Sequence, residues 1–365
     1  MKRASVTAAA LLLSLLLTAC SSIYDREYVS VEDYVFPSQN ETENEDVRIG
    51  DITELKSALQ ALVDEGKTQG KILFAEDYSG NISEDLASAC WQVRTGDALC
   101  AYCVENISYE STQLLSLREA ELRISYSSSV VPFEEIKRLQ YSAGMSELIE
   151  EAVAGGAKKL AVLVERTVYS SADIKTLANE LYRENPAIAP EEPTVTVKLF
   201  SGSGSRKLYE LTLSYHMSED TLLQRREELS AFIASAAPRL RGTETERALA
   251  ALEILLEDFE YDPELAGGNV YEALVGKSSG YEGMALGYAA LCREAGLECA
   301  IIYGQLNWND YCWNLVEIEG SWYHVVPGEY ENTGGVSGFM MTDEQMWSSY
   351  RWDISEYPSG VSGAQ

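Results

Sequence analysis

The side chains of this chain that could perform nucleophilic chemistry are few. It has seven cysteines and only two histidines, His216 and His324. Cysteine catalysis pairs a thiolate with a base, so a Cys–His pair has few ways to form here. Cys100 and Cys103 have a C-x-x-C spacing but lie in the strand-like run ALCAYCVENISY without partner ligands, which does not favour a zinc or redox site. We expect buried free thiols, although the even number of cysteines after Cys20 permits disulfides.

A series of motifs in the last third of the chain follows the order of a known family. It begins with Tyr261-Asp262 after an amphipathic helix and continues with GYEGMALGYAALC from Gly280. It ends with YCWNLV from Tyr311 and WYHVV from Trp322. These motifs resemble the transglutaminase-like superfamily, in which Cys-x-Gly opens a long helix and later strands carry His-Ala-Trp-Asn and Trp-Tyr-His-Val-Asp. The resemblance implies a C-terminal domain with the papain-like α+β fold.

The three catalytic positions of that family are altered in this chain. Carried over along the motifs, the cysteine, histidine and aspartate positions hold Tyr281, Tyr311 and Val326. A phenol has a pKa of about 10 and does not replace a thiolate at neutral pH. Tyr311 does not shuttle protons as imidazole does, and Val326 offers no hydrogen bond. We therefore expect a degenerate, inactive triad, with no cofactor and no metal.

An active cysteine peptidase or amide-transfer enzyme with another nucleophile is the alternative hypothesis. Cys312 follows the histidine position on a strand, so its side chain is expected to point away from the cleft. Cys292 shares a helix face with Tyr281 but lies about 16 Å further along the axis. Glu329, in VPGEY, could replace the missing carboxylate, but it would have no catalytic histidine to orient. Only Cys312 and Cys292 remain as nucleophiles for this hypothesis.

A binding or scaffold role is the first hypothesis for a domain without its triad. The candidate cleft residues are Tyr281, Trp308 and Tyr311, whose rings could stack on sugars or grip peptide segments. Of these, Trp308 is expected to be the most exposed. The expected partner is cell-wall peptide, glycan or a surface protein.

The region before this domain contains an internal repeat of about 90 residues. Each copy runs helix, strand, helix, strand, strand, and ELRISY from Glu121 in the first copy corresponds to ELTLSY from Glu210 in the second. Their alternation is typical of half-buried strands. We predict an α+β protein in which two repeated small α+β modules, at 49–144 and 145–240, precede the transglutaminase-like domain at 241–358 and a tail at 359–365.

The N-terminus has the features of a secretory signal peptide over residues 1–19. Lys2 and Arg3 precede an apolar run, and Leu17-Thr18-Ala19-Cys20 resembles a bacterial lipobox. We expect Cys20 to carry a lipid that anchors the protein on the extracytoplasmic side of the membrane, and residues 20–48 to form an acidic tether. The formal charge of −30 repels nucleic acid, so nucleic-acid binding is not expected.

Overall fold

The computed structural model describes residues 48–114, 117–261 and 267–360. The predicted signal peptide, Cys20, the tether before Arg48, Asp262 and the end of the tail lie outside these residues. The described residues all belong to one compact unit. No helix within the described residues is long and apolar enough to cross a membrane.

The first module folds as a four-stranded sheet with helices packed on it. Its helices are α1 (Ile52–Asp64), α2 (Ile82–Gly96) and α3 (Ala98–Cys103). Its strands are β1 (Arg48–Ile49), β2 (Gln69–Phe74), β3 (Val104–Leu114) and β4 (Leu117–Tyr126), in the order β1-β2-β4-β3. The carboxylate of Asp51 caps α1, and the buried residues Leu55, Leu59 and Val63 recur every four residues, which fixes the face that meets the sheet.

The second module repeats this topology. It contains α4 (Met145–Gly155), α5 (Ser171–Glu184) and the strands β5 (Lys137–Tyr141), β6 (Lys159–Arg166), β7 (Thr194–Ser201) and β8 (Lys207–Ser214). The strand order is β5-β6-β8-β7, with β5 parallel to β6 and the other pairs antiparallel, as in the first sheet. The second sheet thus takes its first strand from before the boundary predicted at residue 145. A duplication of sequence stays a prediction.

The prediction of a strand over ALCAYC is wrong, because this run forms α3 and the strand begins only at Val104. The carboxylate of Asp97 accepts hydrogen bonds from the backbone N–H groups of Leu99 and Cys100, which starts a helical turn. Both Cys100 and Cys103 are buried on that turn. A continuous apolar run has no period that distinguishes a buried strand from a buried helix.

Buried and half-buried polar contacts join the modules. Arg206, from the β7–β8 hairpin, bonds Asp97 at 2.8 Å and Asp64 at 2.9 Å. The hydroxyl of Tyr102, on α3, donates to the buried Glu210 on β8 at 2.9 Å. Since these charges are largely removed from water, each depends on its partner across the junction.

The C-terminal domain packs a central helix against an antiparallel sheet. The connector α6 (Glu219–Ala236) leads into α7 (Glu244–Leu256). The next elements are β9 (Glu260–Tyr261), α8 (Val270–Leu274), β10 (Ser278–Ser279) and α9 (Tyr281–Glu294). The sheet strands are β11 (Cys299–Leu306), β12 (Asn309–Ile318), β13 (Ser321–Val325) and β14 (Tyr350–Arg351), ordered β13-β12-β11-β14. The short helices α10 (Pro327–Asn332) and α11 (Asp343–Met346) lie between β13 and β14.

Helix α9 lies inside the core of this domain. Every residue from Gly283 to Cys292 is buried, so the helix is apolar on all sides, as buried helices are. The side-chain amide of Asn314 on β12 donates to the carbonyl of Ala285 at 2.9 Å, which fixes the helix against the sheet. This contact sets the position of Tyr281 relative to β12.

Candidate functional site

The two residues predicted at the nucleophile and base positions, Tyr281 and Tyr311, meet in the structure. Tyr281 is the first residue of α9, after Gly280 as N-cap. Its ring lies against that of Tyr311 on β12, with centroids 4.8 Å apart and planes inclined by 37°. Burial raises the pKa of both phenols above their ordinary value, for Tyr311 strongly. Both hydroxyls are therefore neutral at physiological pH, and the pair is an aromatic contact rather than a nucleophile and a base.

The third position contributes only to the core. Val326 is fully buried and packs in a cluster with Trp313, Leu315 and Tyr350. Its backbone N–H donates to the carbonyl of Gly338 at 2.8 Å, just before α10 begins. The position predicted for an orienting carboxylate therefore holds a buried apolar side chain.

Glu329, the substitute carboxylate considered from the sequence, binds hydroxyl groups. One carboxylate oxygen accepts a hydrogen bond from Tyr350 at 2.7 Å, and the other accepts one from Ser337. Burial and the bond to Glu329 raise the pKa of Tyr350 far above its ordinary value. The Glu329 carboxylate holds Tyr350 in place beside Tyr311, where the ring centroids are 6.2 Å apart.

His324 is buried and both ring nitrogens are engaged. The indole N–H of Trp313 donates to Nδ1 at 2.9 Å, so the proton of the neutral ring lies on Nε2, which bonds Asp343 at 2.8 Å. Burial lowers the pKa of His324, although the hydrogen bond and charge of Asp343 act in the opposite direction. Residue 324 thus joins β12, β13 and α11 and leaves no free imidazole nitrogen for catalysis.

The two alternative nucleophiles are both buried. Cys312 is 3% exposed and Cys292 is fully buried. Cys312 faces away from the Trp313 side of the sheet, as expected from strand alternation, yet it borders a cavity with Tyr281 because α9 begins on that face. Burial, with a smaller contribution from Glu282, raises the pKa of the Cys312 thiol far above its ordinary value. Its thiol is therefore poorly suited to form a thiolate.

Tyr311 separates two cavities. The first, about 450 Å³, lies on the α9 side; its lining includes Tyr281, Glu282, Tyr303, Asp310 and Cys312. The second, about 400 Å³, lies toward α10, α11 and β14; its lining includes Tyr261, Glu329, Gln345, Ser349 and Tyr350. Both volumes are in the range of small-molecule sites.

Trp308 stands at the tip of the hairpin between β11 and β12 and is 78% exposed. The guanidinium of Arg351 lies 5.7 Å from the centre of its ring. The prediction that Trp308 is exposed is confirmed, but Trp308 does not pack with the Tyr281–Tyr311 pair. Sequence reasoning missed Tyr350 and Arg351, although both lie in the closing stretch FMMTDEQMWSSYRWDISEYP.

No group of three or more acidic, cysteine or histidine side chains is placed to hold a metal ion within the described residues. All six cysteines of the described residues are free thiols, and five of them are buried. The sequence expectation of buried free thiols therefore holds except for Cys299, which is partly exposed.

Comparison with known proteins identifies the C-terminal domain. The family model of the transglutaminase-like superfamily matches residues 234–327. A solved structure described as a TGase is similar at 9% identity, covering 62% of this chain and 64% of that chain, with a TM-score of 0.26. The periplasmic domain of TgpA from Pseudomonas aeruginosa is similar at 18% identity, covering 37% and 57%, with a TM-score of 0.24.

The matched region spans less than two thirds of either solved chain. No curated protein sequence matches the chain. The family match confirms the predicted α+β class with a transglutaminase-like domain in the C-terminal part.

Proposed function

Residues 234–327 are a transglutaminase-like domain, and we propose that this domain binds a ligand and performs no thiol chemistry. The observation that carries the proposal is the contact of Tyr281 with Tyr311 at 4.8 Å. In the active family a thiolate and an imidazole occupy these positions, and here two neutral phenol rings pack together. Val326, whose buried side chain has no polar atom, occupies the third position.

The protein is proposed to act outside the cytoplasm, anchored through a lipid on Cys20. Support comes from the charged start, the apolar run and the sequence Leu17-Thr18-Ala19-Cys20. The partner is cell-wall material or a surface protein, since an anchored protein meets these first. The charge of −30 disfavours nucleic acid as a partner.

The proposal is tested with the full-length chain purified in detergent. Sedimentation with isolated cell-wall material should recover the wild-type protein, and Trp308→Ala should reduce recovery. Trp91→Ala is the matched control, because Trp91 is also exposed, at 62%, but lies on α2 of the first module. Amine incorporation into a glutamine-containing protein and hydrolysis of peptides should both be absent. Turnover abolished by thiol alkylation would overturn the proposal, as would a lack of binding to both wall material and purified surface proteins.

An active cysteine enzyme is the second candidate, favoured by one observation: Cys312 borders the same cavity as Tyr281. It predicts that an iodoacetamide probe labels Cys312 in the native protein faster than the other buried cysteines, with a pH-dependent rate. The raised pKa of Cys312 predicts the opposite. Slow, uniform labelling of Cys90, Cys292 and Cys312 would exclude this candidate.

A further inference from the structure

The cavity on the α10 side of Tyr311 has an aromatic wall and a polar rim in which amides and hydroxyls predominate. Its volume is about 400 Å³, and the rings of Tyr261, Tyr311 and Tyr350 line it. The polar groups that line it are side-chain amides and hydroxyls, from Asn332, Gln345, Ser348 and Ser349. The side-chain oxygen of Gln345 caps α11 by accepting a hydrogen bond from the backbone N–H of Thr342. The NH₂ group of the same side chain can then donate a hydrogen bond to a ligand.

Among the described residues that line the cavity, Glu329 supplies the one carboxylate, and both of its oxygens are occupied by hydrogen bonds within the protein. Glu329 accepts from the hydroxyls of Tyr350 and Ser337, one on each oxygen. No lysine or arginine in the described parts of the chain lines the cavity. An anionic ligand would lose its hydration without gaining an ion pair, and a cationic ligand would compete with the hydroxyls that already occupy both oxygens of Glu329. A neutral polar ligand would exchange water for amide and hydroxyl partners.

The hairpin beside this cavity holds a tryptophan in an unfavourable backbone conformation. Leu306 lines the cavity and pairs with Asn309, which leaves Asn307 and Trp308 as the two turn residues, with φ of 51° and 70°. Positive φ at both positions is the type I′ turn, which favours glycine at the second. The next hairpin of the same sheet has Gly320 there, with φ of 75°. A bulky residue in the left-handed region costs stability, and such strain is retained mostly at functional sites.

Arg351 connects this tryptophan to a second exposed one. Its guanidinium lies over the Trp308 ring and donates to the backbone carbonyl of Trp347. Trp347 is 52% exposed and lies between the cavity residues Gln345 and Ser348. Two exposed indoles thus flank a cavity whose wall is built of tyrosines.

Building on the proposed binding function, we propose that the ligand is a neutral sugar chain, in particular one of N-acetylated hexoses. A pyranose ring presents apolar C–H faces, which pack on aromatic rings, and an equator of hydroxyl and amide groups, which match the rim. A peptide that extends a sheet is recognised instead through backbone pairing along a strand edge. The cavity offers side-chain amides and hydroxyls around ring faces, which favours the sugar.

The test uses the full-length chain in a detergent without a sugar headgroup. Chitotetraose is the neutral probe, an oligogalacturonate of the same length is the anionic probe, and a neutral tetrapeptide is the peptide probe. Binding is followed by calorimetry and by tryptophan fluorescence. Only chitotetraose should bind, and Trp308→Ala, Trp347→Ala and Gln345→Ala should each weaken it about tenfold. Trp91→Ala should leave the Kd unchanged and Tyr350→Phe, which keeps the ring, should retain most of the affinity.

The outcomes separate this inference from the binding function on which it rests. If the protein binds wall material but chitotetraose neither binds nor competes, the proposed sugar ligand is wrong and the proposed binding function stands. Binding of the tetrapeptide, or of the oligogalacturonate more tightly than chitotetraose, would also overturn the sugar. Loss of chitotetraose binding in Trp91→Ala but not in Trp308→Ala would place the site in the first module and contradict the inference. If neither wall material nor surface protein binds, the proposed function fails as well.

Discussion

The ring of Tyr281 packs on the ring of Tyr311 with centroids 4.8 Å apart, so the first residue of α9 and the third residue of β12 are in direct contact. The backbone that places them is held by Asn314, which ties β12 to the carbonyl of Ala285 one turn into the helix. A thiol and an imidazole built at these two positions would therefore start close together. The proposed loss of thiol chemistry can therefore be tested by building a cysteine and a histidine at these two positions.

We predict that Tyr281→Cys combined with Tyr311→His creates a reactive thiol at position 281. The neighbouring imidazole should lower the pKa of that thiol by about one unit below 8.5, which gives about tenfold more thiolate at neutral pH. Iodoacetamide labelling of residue 281, followed by mass spectrometry between pH 5 and 9, measures the pKa. Tyr281→Cys alone is the control. Equal rates in the single and double variants would show that the two positions are not in register.

Adding Val326→Asp to this pair carries a separate expectation. Residue 326 is fully buried, so an aspartate there should cost about 2–3 kcal/mol of stability unless the new imidazole accepts it as a partner. The cost should be smaller in the triple variant than in Val326→Asp alone, as urea unfolding would measure. Equal costs would mean that position 326 does not face position 311.

Buried His324 predicts a pH dependence of the free energy of unfolding. The pKa of buried His324 is lowered, so the unfolded chain binds the proton first as pH falls. The contribution of the neutral ring is complete above the unfolded value of about 6.5 and decreases below it, by at most about 1.4 kcal/mol per pH unit. Urea unfolding between pH 7.5 and 5 should show this loss in the wild type and in His216→Gln. His216 has an 80% exposed side chain.

His324→Gln should lack this part of the pH dependence, because an amide can accept from Trp313 and donate to Asp343 without titrating. The ring proton shifts of His324 provide an independent readout: they should remain those of the neutral form below pH 6.5. Titration of the ring near 6.5 in the folded protein would contradict the prediction.

The helices and longer strands, which have long apolar patterns, could be predicted from the sequence. The short strands could not. The helix–strand–helix–strand–strand order of both modules follows from period and caps, but β1 and β5 were missed. β1 has only two residues, and β5 is KRLQY, with no residue buried. Such strands join the sheet through backbone hydrogen bonds to β2 and β6, and those leave no hydrophobic pattern in the sequence.

The candidate site residues that lie in the ordered motifs could be predicted from the sequence. Those that the C-terminal strand β14 adds to the site could not. Tyr281 and Tyr311 follow from the aligned motifs. Tyr350 reaches the site because β14 pairs with β11 through Leu306, a contact between residues distant in sequence. The role of Trp308 was visible as an exposed aromatic, but its backbone strain depends on the length of the turn, which the register of β11 and β12 determines.

Arg206 should hold the two modules together. Its side chain is 16% exposed and binds Asp97 in a bidentate manner and Asp64 at 2.9 Å. Arg206→Met would leave both carboxylates without their cation, and we expect a loss of about 2–3 kcal/mol. The control is Arg123→Met, whose ion pair with Glu110 is exposed and should contribute less than about 0.5 kcal/mol. Urea unfolding at pH 7 distinguishes the two.

Acid should reduce the difference between wild type and Arg206→Met. Burial favours the neutral form of Asp97, but Arg206 and the backbone N–H of Cys100 outweigh it, so the pKa of Asp97 is lowered. The resulting stability is present above the unfolded value of about 3.9 and is lost as pH falls toward the folded value. Repeating the unfolding experiment from pH 5 to 3 should bring the two proteins together. A constant difference over that range would place the effect of Arg206 elsewhere than in its carboxylate pairs.

The strain at Trp308 predicts that glycine is tolerated better than alanine at this position, while both substitutions remove the proposed binding. Trp308→Gly and Trp308→Ala both lose the contact with Arg351, but only glycine accepts φ of 70° without a steric penalty. We expect the glycine variant to be more stable than the alanine variant by about 1 kcal/mol, with equal m-values in urea. Both should bind chitotetraose equally weakly. If the alanine variant were as stable as the glycine variant, the turn would not be strained, and backbone strain would no longer support a functional role for residue 308.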